Sequence, residues 1–345
     1  MKRHKRLIGT MLTLGVALSL AALAIRAQQK SSPASVQVHM VVMVEPLRNS
    51  DTSEPALSKQ DVQVRQGKNN LQVTDWIPAR GEAAALQLFI LIDETCDTSL
   101  GGQLGDLRDF INAQPPTTWI GIGYMQNTGV NIVQNFTTDH DAAAKALRLP
   151  MGRLGSSDSV YLSLVSLLKG WPENKLRRSV VVVTDGVDRL RGYSTASGLA
   201  PTPMRGGVGM GMGRPYETVP GISPDVDRAS TAAQRAGVIV NSIYFPGVGH
   251  SARNYFDLNN GQNGMAKLAE ETGGESYFLG LQAPVSFKPD LDRLQLYLDN
   301  QYFLVFQAIP RKNADLQRVK LSTQVPKVEL VSADNVWVPA APKAE

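Results

Sequence analysis

Three continuous apolar runs constrain the fold of this chain more than any other feature. They are LQLFILI at 86–92, SVVVVT at 179–184 and VIVNSIY at 238–244. Such uniform runs are typical of strands buried on both faces, and segments with helical periodicity lie between them. This alternation predicts an α/β fold over residues 84–285, built on an open, mostly parallel, doubly wound sheet.

An acidic cluster begins where the first apolar run ends. The sequence there is Asp93-Glu94-Thr95-Cys96-Asp97. Packing of a buried strand does not require carboxylates at its end. Buried carboxylates must be solvated, paired or bound to a cation, so this cluster is a candidate site.

A second polar cluster follows the run at 179–184. It contains Thr184, Asp185 and Asp188. Ligands bind at the carboxyl ends of the strands in an open parallel sheet, so the two clusters are expected to lie at one edge. Carboxylate and hydroxyl oxygens suit Mg²⁺ or Ca²⁺. The polar loop around Asp158 is expected to bring a third set of oxygens to the same edge.

These clusters resemble the metal-ion-dependent adhesion site of the von Willebrand factor type A family. The resemblance covers about residues 84–279, and it is to the exported bacterial members of Acidobacteria type. Family members carry D-x-S-x-S on a first loop, Thr on a second and Asp on a third. Asp93 matches the first Asp, and Asp185 in VVVVTDGVD matches the third-loop Asp. The resemblance implies a Rossmann-like fold, a protein-binding, adhesion-type function and a bound Mg²⁺ or Ca²⁺.

The site departs from the family pattern and is degenerate. Thr95 keeps the hydroxyl of the first Ser, whereas Asp97 and Asp158 stand where Ser and Thr are expected. Four carboxylates would over-neutralise a divalent ion, which favours a structurally held Ca²⁺. The candidate metal ligands are Asp93, Thr95, Asp97, Asp158 and Asp185, and the residues expected to line the loops around them are Glu94, Ser157, Ser159, Thr184 and Asp188.

Two alternatives stay open. In the first, a structural envelope protein has lost its metal site, and the carboxylates are solvated, cap helices or pair with Arg153 and Arg189. In the second, the same carboxylates hold a metal for hydrolysis. The sequence contains no G-x-S-x-G, H-E-x-x-H or paired-cysteine zinc pattern, so we expect no enzyme.

Two β-rich flanks lie on either side of the α/β region. Residues 36–79 contain the alternating run VQVHMVVMVE and a predicted hairpin, and residues 286–345 contain a predicted helix and alternating strands. Each flank is too small to bury a face alone. We therefore expect them to pack together beside the α/β domain.

Residues 1–27 predict export. Basic residues precede an apolar stretch from 7 to 25, and Ala27 offers a cleavage site. The stretch is long, so the segment is either a signal peptide or an N-terminal inner-membrane anchor. Either way we expect a periplasmic or extracellular protein that contacts membrane only through this segment, with an unknown protein of the cell envelope as partner.

Charge and cysteine content exclude other classes. Five of the 35 basic residues lie within the first 27, which leaves 30 basic against 31 acidic residues. A near-zero balance without a basic run excludes nucleic acid as a partner. Cys96 is the one cysteine, so no intramolecular disulfide forms.

A segment dense in Gly, Met and Pro interrupts the α/β region at residues 190–224. It has neither helical nor strand periodicity, and its glycines do not follow a strand as a dinucleotide fingerprint would. We expect a mobile insertion there.

Overall fold

The computed structural model describes residues 35–46, 57–152, 158–172, 174, 176–190, 222–249 and 255–341. The predicted signal peptide or anchor, Arg153, Ser157 and most of the predicted insertion lie outside these ranges. Within them, no helix is long and apolar enough to cross a membrane.

The described ranges contain strands and α-helices that we number in chain order. The strands are β1 (Val36–Pro46), β2 (Val62–Gln66), β3 (Asn69–Leu71), β4 (Val73–Pro78), β5 (Leu86–Asp93), β6 (Thr118–Gln126), β7 (Gly129–Thr137), β8 (Arg177–Thr184), β9 (Ile239–Tyr244), β10 (Ser276–Tyr277), β11 (Gln301–Ala308), β12 (Asp315–Arg318), β13 (Lys320–Thr323), β14 (Val328–Ser332) and β15 (Asn335–Val338). The α-helices are α1 (Leu104–Asn112), α2 (His140–Ala146), α3 (Val160–Lys169), α4 (Asp225–Ala236), α5 (Tyr255–Thr272) and α6 (Lys288–Asp299), and short 3-10 helices span Lys59–Asp61, Gly81–Ala84 and Thr98–Gln103.

Six strands form the central sheet in the order β10-β9-β8-β5-β6-β7. Neighbours from β10 to β6 are parallel, whereas β7 pairs antiparallel with β6 at one edge. β5 lies in the middle, paired with β8 on one side and β6 on the other. The predicted α/β fold with an open, mostly parallel sheet is confirmed.

Helices cover both faces of this sheet. Leu88, Ile90 and Ile92 of β5 pack into a core with α1, α2 and α6. Phe89 and Leu91 pack into a second core with α3, α4 and α5. Successive side chains of β5 point to opposite faces of the sheet, so alternate residues pack against the helices on opposite sides. Burial of each such side chain contributes about 1.5–3 kcal/mol. The sheet is doubly wound, as predicted.

Strands from both flanks share a second sheet, in the order β14-β1-β11-β4. β1 pairs antiparallel with β11 from Val36↔Ala308 to Met43↔Gln301. Apolar side chains from both flanks, including Val42 and Phe306, form one core that excludes water on one side of the sheet. The flanking β-region is therefore built from both ends of the sequence.

Helix α5 begins at Tyr255 rather than near Met265, where the sequence predicted it. The intervening Asn and Gly residues have low helix propensity and hid the first turns. Gly261 lies against the loop after β8, and a Cβ there would meet the carbonyl oxygen of Asp185 at 2.5 Å. Tertiary packing thus explains a glycine that local propensity disfavours.

Candidate functional site

Asp93 ends β5 at the carboxyl edge of the central sheet and is 4% exposed. One carboxylate oxygen accepts hydrogen bonds from the Thr95 amide at 2.9 Å and the Thr95 hydroxyl at 2.8 Å. The other accepts from the Thr184 hydroxyl at 2.7 Å. Burial raises the pKa of Asp93, opposed by Arg189 and reinforced by Asp185. The structure thus joins the two polar clusters through Asp93 and Thr184.

Asp185 follows β8 at the same edge and is paired with a guanidinium. Its Oδ1 accepts from the Val187 amide at 3.0 Å and from Arg189 Nη1 at 3.1 Å, and its Oδ2 lies 2.5 Å from Arg189 Nη2. The side chains are 2% exposed for Asp185 and 23% for Arg189. Burial lowers the pKa of Arg189, but the charges of Asp185 and Asp93 outweigh it, and the net pKa is raised. Arg189 therefore stays protonated and positively charged.

Asp97 caps the 3-10 helix Thr98–Gln103. Its Oδ1 accepts from the Ser99 amide at 2.8 Å, and hydrogen bonding to Ser99 lowers the pKa of Asp97. Its own amide donates to the Pro246 carbonyl at 3.0 Å. Asp97 therefore fixes the start of a helix.

The second loop contributes Asp158 and Ser159. The Asp158 carbonyl accepts from the amides of Arg189 and Leu190, both at 2.9 Å, so this loop contacts the loop after β8. The Asp158 Oδ1 atom is buried and has no hydrogen-bond partner among the described residues. Ser159 caps α3 by accepting from the Leu162 amide at 3.4 Å.

Glu94 holds the chain beyond α2. Its carboxylate pairs with Arg148 and accepts from the Met151 amide at 2.7 Å. The Arg148 guanidinium also lies 3.8 Å from the centroid of the Tyr124 ring. Glu94 is 5% exposed, so its role in this structure is to anchor a loop rather than to face solvent.

Asp188 lies further along the loop after β8. Its Oδ2 accepts from the Ser223 hydroxyl at 2.5 Å, and its Oδ1 is buried with no partner among the described residues. The hydrogen bond between Asp188 and Ser223 thus joins the segment that precedes residue 191 to the segment that follows residue 221.

The predicted ligands, in this arrangement, do not fit a divalent cation. Asp93 is enclosed by hydrogen-bond donors, Asp185 is paired with a guanidinium and Asp97 caps a helix. Within the described ranges, no three His, Cys, Asp or Glu side chains form a group that could hold a metal ion. The Mg²⁺ or Ca²⁺ site stays a prediction from the sequence, which this arrangement of side chains does not support.

Two features of the site were not anticipated. Cys96 forms a β-bridge with Gly247, and the Val248 amide donates to the Thr95 carbonyl at 2.8 Å. A Cβ on Gly247 would lie 2.5 Å from both Arg189 Nη2 and Asp185 Oδ2. The PGVGH sequence after β9 signals a turn, but nothing local in it indicates that the turn packs on an ion pair.

Exposed apolar side chains lie on segments that reach this edge, and we call them the apolar rim: Met151, Tyr255, Phe256, Leu279 and Val285. Leu279 is 91% exposed and Val285 is 98% exposed. Met151 follows α2, Tyr255 and Phe256 begin α5, and Leu279 and Val285 follow β10. Tyr255, Phe256, Leu279 and Val285 thus follow the carboxyl ends of β9 and β10, whereas Met151 is held at this edge by the hydrogen bond that its amide donates to Glu94 at 2.7 Å.

The loop that carries Leu279 and Val285 is fixed to the edge. Tyr244, at the end of β9, donates its hydroxyl to the Leu281 carbonyl at 3.0 Å. Gln103 donates to the Val285 carbonyl at 3.1 Å. The exposed side chains are consequently presented on an anchored backbone.

Comparisons with known proteins give a likeness of fold. No family model and no curated sequence matches the chain. Similar solved structures include an aerotolerance-related membrane protein from Bacteroides fragilis (10% identity, TM-score 0.41, 62% of this chain and 99% of that chain). BatB from Bacteroides thetaiotaomicron (10%, 0.40, 61% and 97%) and a von Willebrand factor type A protein from Catenulispora acidiphila (10%, 0.39, 91% and 75%) are further examples.

Proposed function

We propose that this chain is an exported, non-catalytic protein-binding module of the von Willebrand factor A type, and that it acts in the cell envelope. The observation that carries the proposal is the apolar rim. Exposed apolar side chains grouped at one edge are typical of protein interaction surfaces. The rim occupies the edge of an open parallel sheet at which ligands generally bind.

The residues that match the family motif also support this edge as the binding surface. Asp93 ends β5 and Asp185 follows β8 at this same edge, both match the family motif, and the hydrogen bond from Thr184 to Asp93 joins the two segments. A rigid, pre-formed surface lowers the entropic cost of binding a partner. We therefore assign the carboxylates a supporting role and the rim the contact with the partner.

Site-specific photo-crosslinking tests the proposal. A photoreactive amino acid at Leu279 or Val285 should give a discrete adduct in irradiated native cells. Trp119 is the matched control, because it is 43% exposed and lies at the amino end of β6, on the opposite edge. Adducts of equal yield from Trp119, or none from the rim, would contradict a binding role for this edge.

Two further measurements address location and the hydrolase alternative. The native protein should fractionate with the periplasm or inner membrane, and recovery of a full-length soluble cytosolic form would refute export. A hydrolase screen with and without divalent metal should show no turnover. Turnover that Asp185→Asn abolishes would favour the hydrolase instead.

A further inference from the structure

We propose that Arg189 occupies the place of the divalent cation at the carboxyl edge, so that the site is complete without a metal ion. The inference goes beyond the proposed function and does not depend on whether the rim binds a protein. It rests on the ion pair between Asp185 and Arg189 and on the burial of Asp93 at the same edge.

The charges at the edge require a compensating cation. Asp93 and Asp185 are both almost fully buried, at 4% and 2% exposure. Burial, reinforced by the charge of Asp185, raises the pKa of Asp93. Two buried carboxylates without a counter-charge would be strongly destabilising. Arg189 supplies a permanent positive charge, paired directly with Asp185 and interacting favourably with Asp93.

The fold holds the guanidinium at this position. The Arg189 amide donates to the Asp158 carbonyl of the second loop at 2.9 Å. Its Nη1 also lies 3.4 Å from the Val187 carbonyl. Gly247 lies directly against the ion pair, where any side chain would collide with it. Residues of three loops thus hold the Arg189 side chain in position.

A metal ion and this guanidinium exclude each other. Both would take the Asp185 oxygens, and a divalent ion beside Arg189 would meet a like charge. A metal would therefore have to displace a bidentate ion pair that is largely shielded from solvent. Removal of the guanidinium should open the site to a metal.

The experiment compares thermal unfolding of the full chain in EDTA with that in Mg²⁺ or Ca²⁺. Wild type should show no shift up to millimolar metal. Arg189→Gln should gain metal-dependent stabilisation, roughly 5 °C at a hundredfold excess over Kd. Arg148→Gln is the matched control, because it removes the guanidinium that pairs with Glu94, the residue next to Asp93 in the sequence. It leaves a single buried carboxylate unpaired, and the melting temperature of this variant should not respond to metal.

Two results would overturn the proposal. One is a metal-induced shift in wild type that Asp185→Asn removes. The other is a folded Arg189→Gln protein that does not respond to metal. If Arg189→Gln does not fold, Asp185→Asn provides the test. The proposal requires that Asp185→Asn lowers the melting temperature equally in EDTA and in metal. A loss of melting temperature seen only with metal contradicts the proposal. Crosslinking at Leu279 reports on the rim separately, so either proposal can fail alone.

Discussion

Arg189 and Asp185 meet through two parallel contacts, Nη1 to Oδ1 at 3.1 Å and Nη2 to Oδ2 at 2.5 Å. The two residues lie four positions apart on the loop after β8, so the pairing is local in sequence. Its burial is not local, because residues from the turn after β9 cover it. The stability of the edge therefore depends on residues distant from the pair itself.

Gly247→Ala tests this dependence. The added Cβ would lie 2.5 Å from Arg189 Nη2 and from Asp185 Oδ2, and 3.3 Å from the Thr95 carbonyl oxygen. We expect this overpacking to lower the free energy of unfolding by about 1–3 kcal/mol in a urea titration.

Gly105→Ala is the matched control. A Cβ on Gly105 would have no atom within 4 Å, and the residue lies inside α1. Alanine there should be neutral or stabilise by about 0.5–1 kcal/mol. Equal effects of the two substitutions would show that close packing at Gly247 does not matter.

The central sheet could be predicted because its signal is local. β5, β8 and β9 are continuous apolar runs, and the change from apolar to acidic residues marks the ends of β5 and β8. Parallel pairing then brings the acidic ends to one edge. The pairing of Asp185 with Arg189 was also open to sequence reasoning, as one of its alternatives.

Contacts between distant segments could not be predicted. The contact of Gly247 with Arg189 and the donation from Gln103 to the loop after β10 join residues far apart in sequence. The early start of α5 was missed for the same reason, since Gly261 is selected by packing on another loop rather than by helix propensity. These contacts and the start of α5 are determined by tertiary packing.

Phe306→Ala tests whether the two flanks share one core. Phe306 is fully buried in β11 among side chains from both ends of the chain. Its truncation should lower the free energy of unfolding by about 3–5 kcal/mol, measured by urea titration. Phe256→Ala, at a side chain that is 62% exposed, should stay within about 0.5 kcal/mol of wild type. A similar small change for both would argue against a shared core.

Cys96 should be inert in the folded protein. The thiol is fully buried, and burial raises its pKa. Because the thiolate is the reactive form, we expect Ellman's reagent to label Cys96 only after unfolding in guanidinium chloride. Ser99→Cys adds an exposed thiol in the 3-10 helix that follows Cys96 and should react at once. Rapid labelling of wild type in native buffer would show that this loop opens readily.

Glu275 should make stability depend on pH. Its carboxylate pairs with Arg293 and lies near Glu45, Asp290 and Tyr277. Burial raises the pKa of Glu275, and the charge of Arg293 opposes this only in part. The folded protein therefore binds this proton more tightly than the unfolded chain does. Its stabilising contribution is present below the unfolded pKa and is lost as pH rises through the folded pKa.

Glu275→Gln removes this titration while it keeps the shape of the side chain. We expect the free energy of unfolding of wild type, relative to that of Glu275→Gln, to fall as pH rises from about 4 to about 8. Urea titrations of both proteins at constant ionic strength measure the difference at each pH, so other groups that titrate in this range cancel. A difference that stays constant, or rises, would mean that Arg293 compensates the buried charge completely and that burial does not control this carboxyl.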